Sequence, residues 1–166
     1  PKGDELNSWE FDDEAVPTRK TTIVNKGVYT SPLLNIEVGK MLNQDTTGNA
    51  GWVYPRPWTL EVLPGEVSES SLLEGNVILF NNNWYTRFQN RAEGQFSTVG
   101  RDAVVVIRGG KPAGVAGRVR IADKLGKIIS GIRELSKERY PVAWWDAPLP
   151  GVYPFALVEG VNLTRA

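Results

Sequence analysis

Histidine and cysteine are both absent from this sequence of 166 residues. Without histidine, the chain cannot form a Ser-His-Asp triad, a Cys-His dyad or a histidine-ligated metal site. Without cysteine, it cannot form a disulfide, a thiolate nucleophile or a zinc–thiolate site. The composition argues against a complete enzyme of the common hydrolytic kinds. We therefore expect neither a catalytic residue nor a cofactor in this chain.

An excess of charge of one sign is also lacking, because 19 Lys and Arg residues balance 19 Asp and Glu residues. This balance argues against a domain that coats nucleic acid and against a disordered acidic tail. Hydrophobic residues make up 41% of the chain, which is enough for the core of one ordinary domain. No apolar run approaches the ~18 residues of a membrane-spanning helix. We expect no membrane segment and a cytoplasmic location.

The start of the chain is unusual for a complete gene product. The first residue is Pro1, and the only methionine is Met41. The first residues contain no apolar run of the kind found in signal peptides. We therefore expect the sequence to be part of a longer protein that is not secreted.

Residues 1–16 form an acidic segment, which we interpret as a linker or as the tail of a preceding domain. Residues 17–166 then form one domain. Four carboxylates of the segment lie close enough in sequence to bind a hard cation such as Mg²⁺ or Ca²⁺ in principle. They are Glu10, Asp12, Asp13 and Glu14. They lack the spacing of an EF-hand loop, so a solvated linker is the favoured interpretation.

Most of the remaining sequence has the pattern of β-strands joined by tight turns. Runs of β-branched and aromatic residues, separated by Gly, Asn and Pro, predict about eight or nine strands linked mostly as hairpins. Apolar residues at helical spacing predict one helix at 34–43, with Asn35 as its N-cap, and another at 122–137. We therefore predict an α+β, β-rich fold with a curved or barrel-like, mostly antiparallel sheet.

Residues 101–140 form a basic region, with ten Lys and Arg residues against four Asp and Glu residues. Such a region can meet phosphates or an acidic partner, although the polar face of a helix and a hairpin is the plainer interpretation. Arg118 and Arg120 are two residues apart, so on a strand they share one face and can bind one carboxylate together. The six tryptophans can line a groove for an extended chain, although core packing is their commoner use.

Several short segments of the sequence follow one another in a familiar order. They are residues 12–24 (DDEAVPTRKTTIV), 26–28 (KGV), 47–50 (TGNA), 84–88 (WYTRF), 93–97 (EGQFS), Arg101, Arg120-Ile121, 142–145 (VAWW) and 154–162. Taken together, they resemble the C-terminal domain of the TldD/PmbA family. The resemblance covers nearly the whole chain after the first residues.

The resemblance implies an activity for a longer protein. Proteins of the TldD/PmbA family resemble intracellular zinc metallopeptidases, are linked to proteolysis and peptide maturation, and are called modulators of DNA gyrase. Their HExxxH metal-binding helix lies in a preceding domain, so zinc is expected there. TldD-like members have a late cysteine that can complete the metal site. Here Trp144-Trp145-Asp146 stands near that place, which favours a PmbA-like or divergent member; the family often has glycine where Ala15 stands.

The resemblance also implies a role for this chain beside a catalytic domain. We expect a non-catalytic C-terminal domain that shapes the peptide-binding channel and the subunit interface of a homo- or heterodimer. A protease of unfolded peptides can bind any sequence by pairing the peptide backbone with a free sheet edge. We expect Trp84 and Tyr85 to flank that edge and Arg87, Arg118 or Arg120 to hold a peptide carboxylate.

A second interpretation stays open. The chain can instead be a stand-alone β module that binds peptide or nucleic acid and has no protease attached, with nucleic acid the less favoured partner. An HExxxH helix encoded upstream supports the first interpretation. Salt-dependent DNA binding supports the second.

Overall fold

A computed structural model describes residues 9–144 and 147–166 of the chain, and β-strands dominate this part. The helices are α1 (Ile36–Leu42), α2 (Glu69–Leu72) and α3 (Leu125–Ser130). The strands are β1 (Val24–Asn25), β2 (Val28–Tyr29), β3 (Leu60–Glu61), β4 (Val77–Phe80), β5 (Asn83–Asn90), β6 (Gln95–Gly100), β7 (Val104–Arg108), β8 (Lys111–Ala116), β9 (Val119–Lys124), β10 (Ile132–Trp144), β11 (Ala147–Val158) and β12 (Leu163–Arg165). None of the helices in this part of the chain has the length and apolarity that a membrane crossing requires.

The chain divides into two compact units. Unit 1 runs to Glu61 and includes Pro141–Val152, whereas unit 2 comprises Val62–Tyr140 and Tyr153–Ala166. Unit 1 contains β1, β2, α1 and β3, and unit 2 contains α2, α3, β12 and the strands from β4 to β9. The long strands β10 and β11 contribute residues to both units.

The centre of unit 1 is the segment 47–50, in which all four residues are buried. The hydroxyl of Thr47 accepts a hydrogen bond from the N–H of Leu34 at 2.7 Å and donates one to the carbonyl of Leu34 at 3.1 Å. Gly48 has a φ of 70°, and a Cβ there would lie 2.5 Å from the carbonyl oxygen of Pro17. Only glycine fits such a site without strain. The TGNA segment is therefore a structural centre of this unit.

Helix α1 confirms the helix predicted at 34–43 and is slightly shorter at each end. The side chain of Asn35 accepts a hydrogen bond from the N–H of Val38 at 2.8 Å, as an N-cap does. Asn43 ends the helix in the left-handed conformation, with a φ of 52°. The local signals in the sequence were sufficient for this element.

Unit 2 contains two antiparallel sheets. The first has the strand order β12-β9-β6-β5, and the second has the order β4-β7-β8. Val104 and Ile107 on β7 and Leu72 on α2 are its buried apolar side chains among the described residues. The first sheet carries most of the predicted site residues.

Two further sheets have the orders β1-β2 and β10-β11-β3. Strand β11 runs parallel to β3, with Gly151 opposite Leu60, whereas the β1-β2 pair and the strand pairs of the two sheets in unit 2 are antiparallel. The predicted β-rich α+β class with mostly antiparallel pairing is therefore confirmed. The described strands form four sheets and do not close into one barrel.

The helix predicted at 122–137 is wrong over most of its length. Strand β9 continues to Lys124, helix α3 covers only Leu125–Ser130, and β10 begins at Ile132. The apolar stripe that predicted one helix therefore runs through the end of a strand, a short helix and the start of a second strand.

Hydrogen bonds from a distant segment explain why the residues after α3 form a strand. The N–H of Gly65 donates to the carbonyl of Ser136 at 2.9 Å, and the N–H of Lys137 donates to that of Val67 at 2.7 Å. A Cβ on Gly65 would lie 1.9 Å from a carbonyl oxygen of β10. The buried hydroxyl of Ser136 accepts a hydrogen bond from the N–H of Phe155 at 2.9 Å. This pairing overrides the local helical periodicity.

Candidate functional site

Three of the five predicted site residues, Trp84, Tyr85 and Arg87, lie on strand β5. Strand β5 is the last strand of its sheet, so among the described residues it pairs with β6 on one side and with no strand on the other. Its residues from Tyr85 to Asn90 are exposed. An edge strand presents a row of backbone N–H and C=O groups that a further extended chain can pair with.

The register of the sheet brings a fourth predicted residue, Arg120, to the same side as Trp84. Trp84 lies opposite Val99, and Val99 lies opposite Arg120 on β9. Arg87 lies opposite Ser97 in the same way. Directly opposed residues project to the same side of a sheet. We call this side the arginine face, and its members are Trp84, Arg87, Ser97, Val99 and Arg120.

Ser97 connects three strands of the arginine face. Its hydroxyl oxygen accepts a hydrogen bond from Nη1 of Arg120 at 3.2 Å and another from Nε2 of Gln89 at 3.0 Å. Side chains of β9 and β5 are thus joined through a residue of β6. This polar part of the face is held in place before any ligand binds, which lowers the entropic cost of binding.

A bulge in β5 places Tyr85 against Trp84. The register shifts between Trp84 and Arg87, and Tyr85 has a φ of 53°, which is rare for a bulky side chain. The hydroxyl of Thr98 donates to the carbonyl of Trp84 at 3.0 Å and accepts from the hydroxyl of Thr86 at 2.9 Å, which fixes the bulge to β6. The two rings lie 4.4 Å apart between centroids. Backbone strain of this kind is concentrated at functional sites.

Two guanidinium groups lie over this aromatic pair. The Arg87 guanidinium is 5.7 Å from the Tyr85 ring centroid, and the Arg101 guanidinium is 5.5 Å from the Trp84 ring centroid. Arg101 was not among the predicted site residues, because it lies outside the strands and 17 positions after Trp84. Its place directly after β6 is the signal that could have found it, since that strand returns it to the start of β5.

Arg118 lies outside the strand on which it was predicted. Strand β9 begins at Val119, so the period of two that linked Arg118 to Arg120 does not extend to it. Arg118 is exposed in a bend, and its carbonyl accepts a hydrogen bond from the N–H of Ala166 at 3.0 Å. Its role in binding a carboxylate stays a prediction.

Asp12 is the buried member of the acidic cluster. Its carboxylate accepts three backbone hydrogen bonds, from Glu14 at 3.0 Å, Val16 at 2.9 Å and Ala50 at 2.8 Å. Ala15, within this turn, has a φ of 60°, a conformation that glycine adopts without strain. Asp12 therefore supports the fold of the turn. Within the described ranges, no group of three or more His, Cys, Asp or Glu side chains could hold a metal ion.

Asp123 is a second buried carboxylate, at the end of β9. Its Oδ2 accepts hydrogen bonds from Nζ of Lys127 and the N–H of Asn162, both at 2.9 Å, and its Oδ1 accepts one from the N–H of Lys124 at 2.9 Å. Burial raises the pKa of Asp123, but these hydrogen bonds and the Lys127 charge outweigh burial and lower the pKa below its ordinary value of 3.8. The ionised carboxylate ties the C-terminal segment to the sheet that carries the arginine face.

The segment Trp144-Trp145-Asp146 stands near the place where TldD-like members have a late cysteine. Trp145 and Asp146 lie outside the described residues. The expectation of a PmbA-like or divergent member therefore stays a prediction.

A family model described as the PmbA/TldA metallopeptidase C-terminal domain matches residues 1–165. This chain belongs to that family. The match confirms the predicted resemblance to the C-terminal domain of the TldD/PmbA family. Comparison with curated protein sequences found no match.

Three solved structures share the fold of this PmbA/TldA domain. A candidate modulator of a DNA gyrase from Thermotoga maritima matches with a TM-score of 0.80 and 22% identity, over 96% of this chain and 36% of that chain. TldE from Thermococcus kodakarensis matches with 0.81 and 20%, over 93% and 36%. A candidate modulator of DNA gyrase from Bacteroides thetaiotaomicron matches with 0.76 and 18%, over 98% and 34%. The chain thus spans about a third of the length of these relatives.

The family description implies a catalytic metal, and the described residues of this chain do not fit one. The chain contains no histidine and no cysteine, which are the main nitrogen and sulfur ligands of zinc. The buried carboxylate of Asp12 is occupied by backbone donors, and that of Asp123 by backbone donors and Lys127. This chain therefore offers no histidine or cysteine ligand for zinc.

Proposed function

We propose that this chain is the non-catalytic C-terminal domain of a PmbA/TldD-type metallopeptidase and forms one wall of its peptide-binding channel. In this proposal, zinc and its ligands belong to a preceding domain of the same cytoplasmic protein. The domain also contributes to the interface of a homo- or heterodimer. The family match supports the assignment as a C-terminal domain. A preceding domain is supported by the length of the solved relatives, which is almost three times that of the matched region.

The exposed edge of β5 is the observation that carries the peptide-binding role. A peptidase that accepts many sequences needs contacts to groups that every residue offers, and these are the backbone N–H and C=O groups. An extended peptide can add to a sheet edge through such groups whatever its side chains are. Strand β5 ends its sheet among the described strands and is exposed from Tyr85 to Asn90.

The side chains around β5 supply contacts of a second kind. The Trp84–Tyr85 pair offers aromatic side chains beside the edge, with their rings inclined at 48°, and Arg87 and Arg120 project from the same side of the sheet. Guanidinium groups bind carboxylates through charge-assisted hydrogen bonds. A peptide terminus or an acidic side chain is therefore the group that this face recognises. Arg118, exposed just before β9, adds a third cation nearby in sequence.

Fluorescence anisotropy of a peptide labelled at its N-terminus tests the proposal in the complete protein. We expect Arg87→Ala together with Arg120→Ala to weaken binding about tenfold, because a hydrogen bond to a charged group contributes about 1.5 kcal/mol. Amidation of the peptide's C-terminus should cause a similar loss in the unmodified protein and little further loss in the double variant. Arg133→Ala is the matched control, since Arg133 pairs with Glu159 on the surface at 2.7 Å.

Unchanged peptide affinity in the double variant would contradict the carboxylate role of the arginine face. A DNA duplex tested in the same assay separates the alternative function. If the protein binds DNA with a strong salt dependence, and the double variant loses DNA binding but keeps peptide binding, the chain is a nucleic-acid module. The favoured outcome is loss of peptide binding without measurable DNA binding.

A further inference from the structure

Residues 50–55 of unit 1 form a loop that exposes three consecutive apolar side chains. Trp52 is 94% exposed, Val53 is 64% exposed and Tyr54 is 76% exposed. The whole loop, with the sequence AGWVYP, contains no charged residue. We call it the Trp52 loop. Exposed apolar side chains that are grouped on a surface mark interaction sites, whereas single exposed ones are common and need no explanation. Aromatic side chains are enriched among the residues that dominate binding.

The Trp52 loop is closed by hydrogen bonds at its base. The N–H of Arg56 donates to the carbonyl of Asn49 at 2.8 Å, and Nδ2 of Asn49 donates to the carbonyl of Arg56 at 3.1 Å. Inside the loop the backbone turns so tightly that a Cβ on Gly51 would lie 2.7 Å from the carbonyl oxygen of Tyr54. The loop backbone is therefore ordered before a partner binds, which lowers the entropic cost of binding.

Two residues near the start of the described part of unit 1, Asp12 and Asp13, hold the base of the loop. Ala50 is buried, and its N–H donates to Oδ2 of Asp12 at 2.8 Å. The carbonyl of Ala50 accepts a hydrogen bond from the N–H of Asp13 at 3.1 Å. The contact that fixes the Trp52 loop is thus made by Asp12, which lies close in sequence to the N-terminal end of this domain.

We infer that the Trp52 loop docks onto the part of the same polypeptide that precedes this domain, with Trp52 and Tyr54 as the buried anchors. The inference rests on the proposed function, which places such a part before the domain. About two thirds of each solved relative lies outside the matched region, so there is ample chain to form the receiving surface. Because the loop has no charge, it suits an apolar protein surface as its partner better than an anionic surface.

Thiol labelling tests this inference, because the chain contains no cysteine of its own. The complete polypeptide is prepared with Val53→Cys or, as the control, with Lys111→Cys on the exposed strand β8. Labelling by a maleimide is followed at each site by peptide mass spectrometry and divided by the rate in guanidinium chloride. We expect Cys at position 53 to react at least about tenfold more slowly than Cys at position 111, since a docked loop reacts only when it opens.

Two further measurements make the result specific. Adding Trp52→Ala and Tyr54→Ala to the Val53→Cys protein should raise labelling at position 53 at least about fivefold, because aromatic anchors dominate such contacts. Dilution should leave the protection unchanged, since the docking is intramolecular. If Val53→Cys lowers the yield of folded protein, Trp52→Cys takes its place.

Equal normalised labelling at the two sites would overturn the inference. Protection that disappears on dilution would also overturn it, because a second subunit would then be the occupant. Neither result affects peptide binding by β5, which is measured separately in the arginine variants. Failure of the docking inference is thus distinguishable from failure of the proposed function.

Discussion

Strands β5 and β8 are both edge strands of unit 2, but they differ in their chemistry. Strand β8 begins with Lys111 and Pro112 and contains Gly114 at a φ of 158°. Proline has no N–H to offer to a further strand, and an edge lysine discourages pairing by its charge. Strand β5, with the sequence NWYTRFQN, has no lysine or proline and carries aromatic and arginine side chains instead.

The comparison of β5 with β8 shows that exposure alone does not identify an edge strand that can bind another chain. Both strands are largely exposed, and both sheets contain a register shift. Only β5 combines an edge that another chain can pair with and side chains that can contact its backbone and its charged groups. We interpret β8 as an edge protected against pairing and β5 as an edge kept available for it.

The largest expected effect is on stability, and it compares a glycine that lies opposite β5 with a glycine that follows β8. Gly100 lies opposite Asn83 at the start of β5, and a Cβ there would lie 2.5 Å from Cγ2 of the buried Val104. We expect Gly100→Ala to lower the free energy of unfolding by about 2–3 kcal/mol, measured by urea denaturation. Gly117→Ala, just after β8, is the control: apart from its chain neighbours, no atom would lie within 4 Å of the added Cβ, so a change below about 1 kcal/mol is expected. Equal losses of the free energy of unfolding in the two variants would contradict the close packing of Gly100 against Val104.

The second expected effect separates the two sheets by pH. Asp123 has a lowered pKa in the folded protein, so its contribution to stability is complete above its ordinary value of 3.8 and is lost as the pH falls through the folded pKa. The protection of β6 and β9 amides against hydrogen exchange, relative to their intrinsic rates at each pH, should therefore fall in acid before that of β7 amides. Asp123→Asn should cost about 2 kcal/mol at neutral pH and abolish this difference. An unchanged acid response in the variant would contradict the assignment.

The third effect separates binding from stability at the bulge of β5. Tyr85→Gly relieves a positive φ but removes the contacts with Trp84 and Arg87. These changes oppose each other, so we expect the free energy of unfolding to change by less than about 1 kcal/mol. Peptide affinity, followed by anisotropy, should fall about fivefold because the aromatic wall is lost. Full affinity in the variant would mean that the bulge serves the fold alone.

The smallest effect is expected at β8. Replacing Lys111 and Pro112 by threonine restores an N–H and removes the charge, so the edge resembles an unprotected strand. We expect weak, concentration-dependent self-association by sedimentation velocity, with a change in stability below about 0.5 kcal/mol. A strictly unchanged sedimentation coefficient at high concentration would show that β8 needs no protection.

Local signals made part of the fold predictable. The cap at Asn35 and the apolar spacing of α1 lie within a few residues, and the helix formed as predicted. The start of β10 was not predictable, since its partner Gly65 lies about seventy residues earlier and contacts Ser136 only in the folded protein. The periodicity after residue 121 therefore suited a helix that tertiary pairing replaced.

The candidate site shows the same limit. Trp84, Tyr85 and Arg87 could be grouped from the sequence because they lie within four residues of one strand. The placement of Arg120 beside them depends on the register of β6 between β5 and β9, and the contact of Arg101 with Trp84 depends on the return from β6. Such relations need strand bounds to within one residue. The argument that joined Arg118 to Arg120 failed on that point.

Hydrogen exchange with and without peptide tests the central claim most directly. In the complete protein, a saturating extended peptide should slow exchange of amides within residues 86–90 at least about tenfold, because they become paired or covered. Amides within residues 111–116, on the protected edge β8, should exchange at the same rate with and without peptide. Protection at β8, or none at β5 while peptide is bound, would contradict the account.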